Sequence, residues 1–234
     1  MVASLPGSTL SCALFVLAVG LGAALEGSLA LAVWLLSFWH YYLYWLAFAF
    51  GAAPFEVFKR DAVAMKAVSV AALAIVYLAA PLDVVSLAVI AAGILLNARA
   101  AAVLGVDRTY YGHEVAGLPP ERITAFPYSH AAHPMILGNV AAFGGTLLNP
   151  DFARAWWPLA ALHVALNIGL LVMERWGRGG AVRRGGGIVF AGVLLVVAGA
   201  IPITPTSALL LAAALTCAWT LHRCYAQERP RRAS

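Results

Sequence analysis

Residues 84–138 read VVSLAVIAAGILLNARAAAVLGVDRTYYGHEVAGLPPERITAFPYSHAAHPMILG, and they hold the two textures from which the whole chain is built. The first 22 residues are almost wholly apolar, about the length that carries a helix across the hydrocarbon of a bilayer. Residues 105–138 are the longest run with real polar content. They pack Arg, Tyr, His and Glu between glycines and prolines. The first texture recurs along the chain and the second does not.

Composition agrees. Of 234 residues, 63% are hydrophobic and only 11% charged, with a mean hydropathy of +0.87. A soluble domain carries about 25% charged residues, so the sequence predicts an all-α, polytopic membrane protein. The net charge of +5 then concerns topology and lipid surfaces rather than nucleic acid. Apolar segments at 8–24, 29–50, 62–80, 84–105, 135–148, 155–173, 188–201 and 207–221 give about eight spans, the fifth of them short. The segments at 51–61 and 174–186 read as loops, and Glu26-Gly27-Ser28 as a tight turn. No Lys or Arg precedes the first apolar run, so it reads as a span rather than a cleaved signal. With both termini cytoplasmic, Arg154 alone among the fifteen Lys and Arg residues falls outside, as the positive-inside rule requires. The basic tail 227–234 reads as a segment that adheres to anionic headgroups. Cys12, Cys217 and Cys224 show no ligand spacing and read as small buried hydrophobes, with no metal site implied. No internal repeat is visible, and nothing sets an oligomeric state.

That topology gathers most of the titratable groups on one face. Arg108, Tyr110, Tyr111, His113, Glu114, Arg122, Tyr128, His130 and His133 lie on one side of the fifth segment, with Glu174 and Arg175 at the end of the sixth. An acid that closes an apolar helix reads either as a boundary marker or as a functional group. Tyr111-Gly112 and Gly138 point to close backbone approach. His133-Pro134 reads as a helix start, Pro being favoured in the first turn, and a helix N-terminus attracts anionic groups. Inside the spans, His163 and Asn167 lie one turn apart and read as interhelical hydrogen-bonding groups. The cluster Trp39, His40, Tyr41, Tyr42, Tyr44 and Trp45 reads as helix packing, with an aromatic wall for a cationic headgroup as the alternative.

Three motifs carry a resemblance: Leu104-Gly105-Val106-Asp107-Arg108-Thr109-Tyr110-Tyr111-Gly112, then Arg122-Ile123-Thr124-Ala125-Phe126-Pro127-Tyr128, then His133-Pro134-Met135 with Gly138. Together with Asn139–Gly145, Trp157-Pro158, His163 and Glu174, this stretch resembles the membrane-embedded phospholipid N-methyltransferases, the phosphatidylethanolamine N-methyltransferase family, across roughly 99–175. The wider superfamily includes the isoprenylcysteine carboxyl methyltransferases. The resemblance implies methyl transfer from S-adenosylmethionine to the amine of phosphatidylethanolamine or its mono- and dimethylated forms, towards phosphatidylcholine. The bilayer and its phospholipids would be the partners. It divides the chain into N-terminal helices (1–98), a methyltransferase core (99–186), and two added C-terminal helices with the tail (187–234).

On this resemblance, Gly105, Arg108, Tyr111, Gly112, Tyr128, His133, Pro134, Gly138, Glu174 and Arg175 are the expected cofactor contacts. His133 is the leading general base, because a histidine titrates near neutral pH, with His130, His113 and Glu114 as rivals. The family often has two adjacent acids at the position of Glu174, whereas this chain has Met173 before it. The alternatives are a carboxyl or other small-molecule methyltransferase of the same superfamily, and a non-catalytic membrane protein or transporter. A transporter would require polar groups near the midplane, where only His163 and Asn167 stand.

Overall fold

The computed structural model describes residues 7–50, 54–176 and 180–226. Among these residues it is all-helical, in chain order α1 (Gly7–Leu25), α2 (Leu29–Leu36), α3 (Trp39–Phe50), α4 (Phe55–Leu78), α5 (Val84–Leu104), α6 (Val106–Thr109), α7 (Gly112–Ala116), α8 (Pro134–Gly145), α9 (Pro150–Trp176), α10 (Gly180–Ala200) and α11 (Pro205–Ala226). Seven helical segments are long and apolar enough to cross a membrane, α2 and α3 counting as one, and Pro134–Leu148 is a shorter apolar one. In hydrocarbon each backbone N–H and C=O must be satisfied within its own segment, which is why apolar runs of this length fold as helices.

The helix starts are written in the sequence. The Ser28 hydroxyl accepts from the Leu31 amide at 3.3 Å, and the Asp83 carboxylate accepts from the Ser86 amide at 2.7 Å. Asn149 accepts from the amides of Asp151 and Phe152, ahead of Pro150 at the first position of α9. Each cap satisfies donors that a helix N-terminus leaves free. Gly27 makes the expected tight turn at φ 61°.

Two segments depart from the sequence reading. Residues 51–61 are not a loop throughout, since α4 begins at Phe55 and carries Lys59, Arg60 and Asp61 in its first two turns. Residues 174–186 are not one either: α9 continues to Trp176, and α10 starts at Gly180 and runs through Gly185-Gly186-Gly187. The glycine run signals a break, but packing against α3 overrides it. A Cβ on Gly186 would lie 1.9 Å from Nε1 of Trp45, and that nitrogen donates to the Val182 carbonyl at 3.0 Å. The helix is bare there so that an indole can lie flush against it. The tail 227–234 lies outside the described residues.

The chain forms two compact units. The first, 1–73 with 178–234, has an aromatic interior. Phe15 meets Trp39 at 4.6 Å, Tyr42 stacks on Phe190 at 4.0 Å, and the Tyr42 hydroxyl donates to the Ala218 carbonyl at 3.0 Å. The aromatic cluster of the second apolar segment is therefore packing. Asp61, the one buried Asp, Glu, Lys or Arg among its described residues, accepts from Ser8 at 2.9 Å and Thr9 at 2.7 Å, with Arg60 beside it. Cys12 and Cys217 are buried and free, and Cys224 is half-buried.

The second unit, 74–177, is built on α5, α8 and α9. Small residues let α5 and α8 meet backbone to backbone: a Cβ on Gly93 would lie 2.5 Å from the Ala142 amide, and one on Gly138 would lie 2.6 Å from the Gly93 carbonyl. In a bilayer no hydrophobic drive separates helix from lipid, so such contact and interhelical hydrogen bonds must hold the helices. The Ser86 hydroxyl donates to the Gly145 carbonyl at 2.7 Å, and Asn149 reaches the Pro81 carbonyl at 2.8 Å.

Candidate active site

The polar end of the second unit is assembled from four pieces of chain. At the end of α5, Gly105 takes φ 84° with open space where a side chain would sit, so glycine is required here by the backbone rather than by crowding. The chain then folds through α6 and turns back at Tyr111, the one non-glycine residue with positive φ (59°) among those described. An aromatic residue in the left-handed region carries strain of about 1–3 kcal/mol and persists only where its surroundings hold it. Gly112 follows in tight contact, since a Cβ there would lie 2.6 Å from the Asp107 carbonyl and 2.6 Å from Leu118. The close approach expected at Gly112 and Gly138 is present at both.

Glu174 meets the Tyr111 side chain here. The carboxylate, in the last turn of α9, accepts a side-chain hydrogen bond from Tyr111. It also lies 3.4 Å from Nδ1 of His133, the residue that precedes Pro134 and caps α8. The charges of Glu114 and of Tyr128 act on the same carboxylate or are acted on by it. Burial, and then the Glu174 charge, push the Tyr128 phenol up from its ordinary value of 10. Tyr128 therefore remains a hydrogen-bond donor across the physiological range. The His133 and Glu174 side chains keep 39% and 26% of their surface exposed, so a ligand can still reach both.

The start of α8 is fixed from below. Asn97 on α5 donates to the Met135 carbonyl at 2.9 Å and to the Asn139 side chain at 2.9 Å; Asn139 in turn donates to Asn167 on α9 at 2.9 Å. Asn167 completes the ladder by donating to the His163 carbonyl, and His163 stacks on Phe143 at 4.4 Å. Three asparagines thus tie α5, α8 and α9 one to two turns beneath His133. The interhelical bond expected of this pair belongs to Asn167; its bond to His163 is within α9.

The remaining candidates stand apart from this group. His130 bonds Ser129 at 2.8 Å and lies edge-on to Phe126, within its own turn. Arg108 donates to the Pro119 carbonyl at 2.9 Å and pairs with Glu121 at 2.8 Å, which staples the polar loop together. The His113 ring meets the Leu118 carbonyl at 2.6 Å. Arg175 is exposed, and Pro134 is buried at the first position of α8. Sequence reading did not place Asn97 or Asn139 at the site. Their signal was an uncharged amide inside an apolar span, one at 97 and one at 139.

Residues 82–176 match the model of the phospholipid methyltransferase family. That match spans the Asp83 cap, the polar loop, the asparagine ladder and Glu174, and the chain carries a domain of this family, as its motifs led us to expect. No curated protein and no solved structure matches the chain. The matched domain and the seven apolar helical segments agree with an integral membrane protein that carries a phospholipid methyltransferase domain.

Proposed function

We propose that the protein transfers methyl groups from S-adenosylmethionine to the amine of phosphatidylethanolamine or its partly methylated forms, towards phosphatidylcholine. The observation that carries this reading is the convergence of Tyr111, His133 and Glu174 at one end of the family-matched segment. The residues suit the donor. S-adenosylmethionine presents a sulfonium, an ammonium and ribose hydroxyls, and a half-exposed carboxylate flanked by two phenols offers acceptors and an aromatic face to such a group. When bound, it supplies an electrophilic methyl group.

The chain's own residues do the rest. Glu174 would hold the cofactor, and it sets the orientation of His133, whose Nδ1 faces the carboxylate. His133 thereby presents Nε2 to the acceptor and takes the proton that the lipid ammonium must lose before its nitrogen can attack. Tyr111 and Tyr128 close the same carboxylate from the loop side. Gly105, Gly112 and Gly138 keep the backbone close enough for these groups to meet. In-line methyl displacement asks above all for positioning, and the asparagine ladder beneath α8 supplies a rigid base for it. The lipid tail stays in the bilayer and the headgroup reaches the site from the cytoplasmic leaflet, the side on which the basic residues lie.

The test is direct. Membranes containing the protein are given radiolabelled S-adenosylmethionine, and the lipid extract is separated. Label in mono-, di- or trimethylated ethanolamine lipids supports the reading. Label in a carboxyl ester or a small molecule, or no label with the protein correctly inserted, overturns it.

A further inference from the structure

The first compact unit carries a groove of about 620 Å³ that the methyltransferase reading does not use. It lies where α3 ends, α10 begins and α11 ends, so one end of three helices frames it. At its mouth are Arg183, Arg184 and His222. Below them the walls are Tyr42, Phe190 and Leu194. From Gly187 to Leu194 the apolar wall runs two turns of α10, a drop of about 10 Å. The volume is within the usual range for a ligand site, about 300–1,000 Å³.

The charge at the mouth is one-sided. No Asp or Glu lines the groove, and no carboxylate pairs with Arg183 or Arg184 among the described residues. Arg183 is held in place rather than left waving: its Nε donates to the Ala49 carbonyl at 3.1 Å, and its guanidinium lies 5.3 Å over the Phe50 ring. One N–H is used, which leaves the four of the terminal nitrogens for another acceptor. His222 sits edge-on to the same ring at 5.2 Å. Arg184 is exposed beside it. Two guanidiniums near the start of α10, beside an aromatic and aliphatic slot, match a group that is anionic at one end and apolar along its length.

We propose that this groove binds an anionic membrane phospholipid, with its phosphate against Arg183 and Arg184 and the first methylenes of an acyl chain along Tyr42, Phe190 and Leu194. Basic pockets between membrane helices recognise anionic headgroups in this way, and guanidinium binds phosphate in a bidentate fork. The proposal is independent of the methyl-transfer reading. It concerns the other unit, and its readout requires no turnover.

Native mass spectrometry of the full chain in a neutral detergent tests it, with phosphatidylglycerol and phosphatidylcholine offered at equal concentration. Phosphatidylglycerol is expected to be retained about tenfold more strongly, and R183Q/R184Q to remove that preference. Arg184 makes no ion pair, so R184Q alone keeps the fold and is expected to weaken retention about threefold. R183K/R184K should restore part of it, because charge returns without the fork. Equal retention of the two lipids by the wild-type protein, undiminished phosphatidylglycerol on R184Q, or displacement of the lipid by inorganic phosphate would each overturn the proposal.

Discussion

The two units solve the same problem with opposite materials. In 1–73 with 178–234, helices are held by large aromatic side chains, and most of Leu29–Phe50 is hidden inside protein. In 74–177 they are held by small residues and amides, and α5 is left mostly open to its surroundings. Rings fill space and tolerate small shifts, whereas glycine contact and side-chain amides fix helix positions to a fraction of an ångström. The unit that has to place three polar side chains around one carboxylate is the one built from the less forgiving parts.

The comparison breaks most visibly if substitutions in the polar end prove harmless. Glu174→Gln keeps the shape and removes the charge that faces His133 and accepts from Tyr111. Methyl transfer should fall by about 100-fold or more with helix content and membrane insertion unchanged. His133→Gln should cost a similar factor. Near-normal turnover would end its assignment as the base. Tyr111→Phe leaves the left-handed backbone in place and removes the hydrogen bond, so its effect should be on cofactor KM more than on folding.

The next contrast is in stability. Gly138→Leu puts a side chain into the Gly93 and Asn97 backbone, and Gly186→Ala puts a methyl group into the Trp45 ring. Each should destabilise by about 1–3 kcal/mol, read as a lower midpoint of unfolding in detergent. Only the first should also lower activity, because only it moves α8. Asn139→Ala should cost about 0.6–1.7 kcal/mol and slacken the start of α8. If Gly186→Ala instead removed activity as thoroughly as Gly138→Leu, the division of labour drawn above would fail.

The smallest effect concerns Tyr128. Its folded-state pKa is raised above the unfolded value, so the native state holds the proton longer. The stability it contributes is flat up to about pH 10 and is lost as pH rises beyond that. Tyr128→Phe should therefore leave stability unchanged near neutrality and blunt only the alkaline decline, as a pH series of unfolding midpoints would show.

Much of this was legible in the chain. Apolar runs of about 20 residues mark spans almost by length alone. The Tyr-Gly turn, the His-Pro helix start and the closing Glu174 are local signals: the chain turns at Tyr111, α8 starts at Pro134, and Glu174 stands in the last turn of α9. The parts that were not legible are those whose meaning lies in a distant partner. Gly185-Gly186-Gly187 reads as a loop until Trp45, about 140 residues away, is laid against it. Asn167 reads as an interhelical hydrogen-bonding group, but Asn97 and Asn139 are ordinary amides until they join it in a ladder. His130 and His133 stand three residues apart as rival bases in sequence, but one bonds Ser129 and the other caps α8 beside Glu174.

One dimension of α9 reaches beyond the protein itself. Its 27 residues make a rod of about 40 Å, while the hydrocarbon layer is about 30 Å thick. The Arg154–Asp151 pair lies near one end of the helix and Glu174 near the other. A helix longer than the hydrocarbon layer is accommodated by tilting, kinking or local thickening of the bilayer, so the depth of the Glu174 carboxylate is coupled to the thickness of the lipid around it.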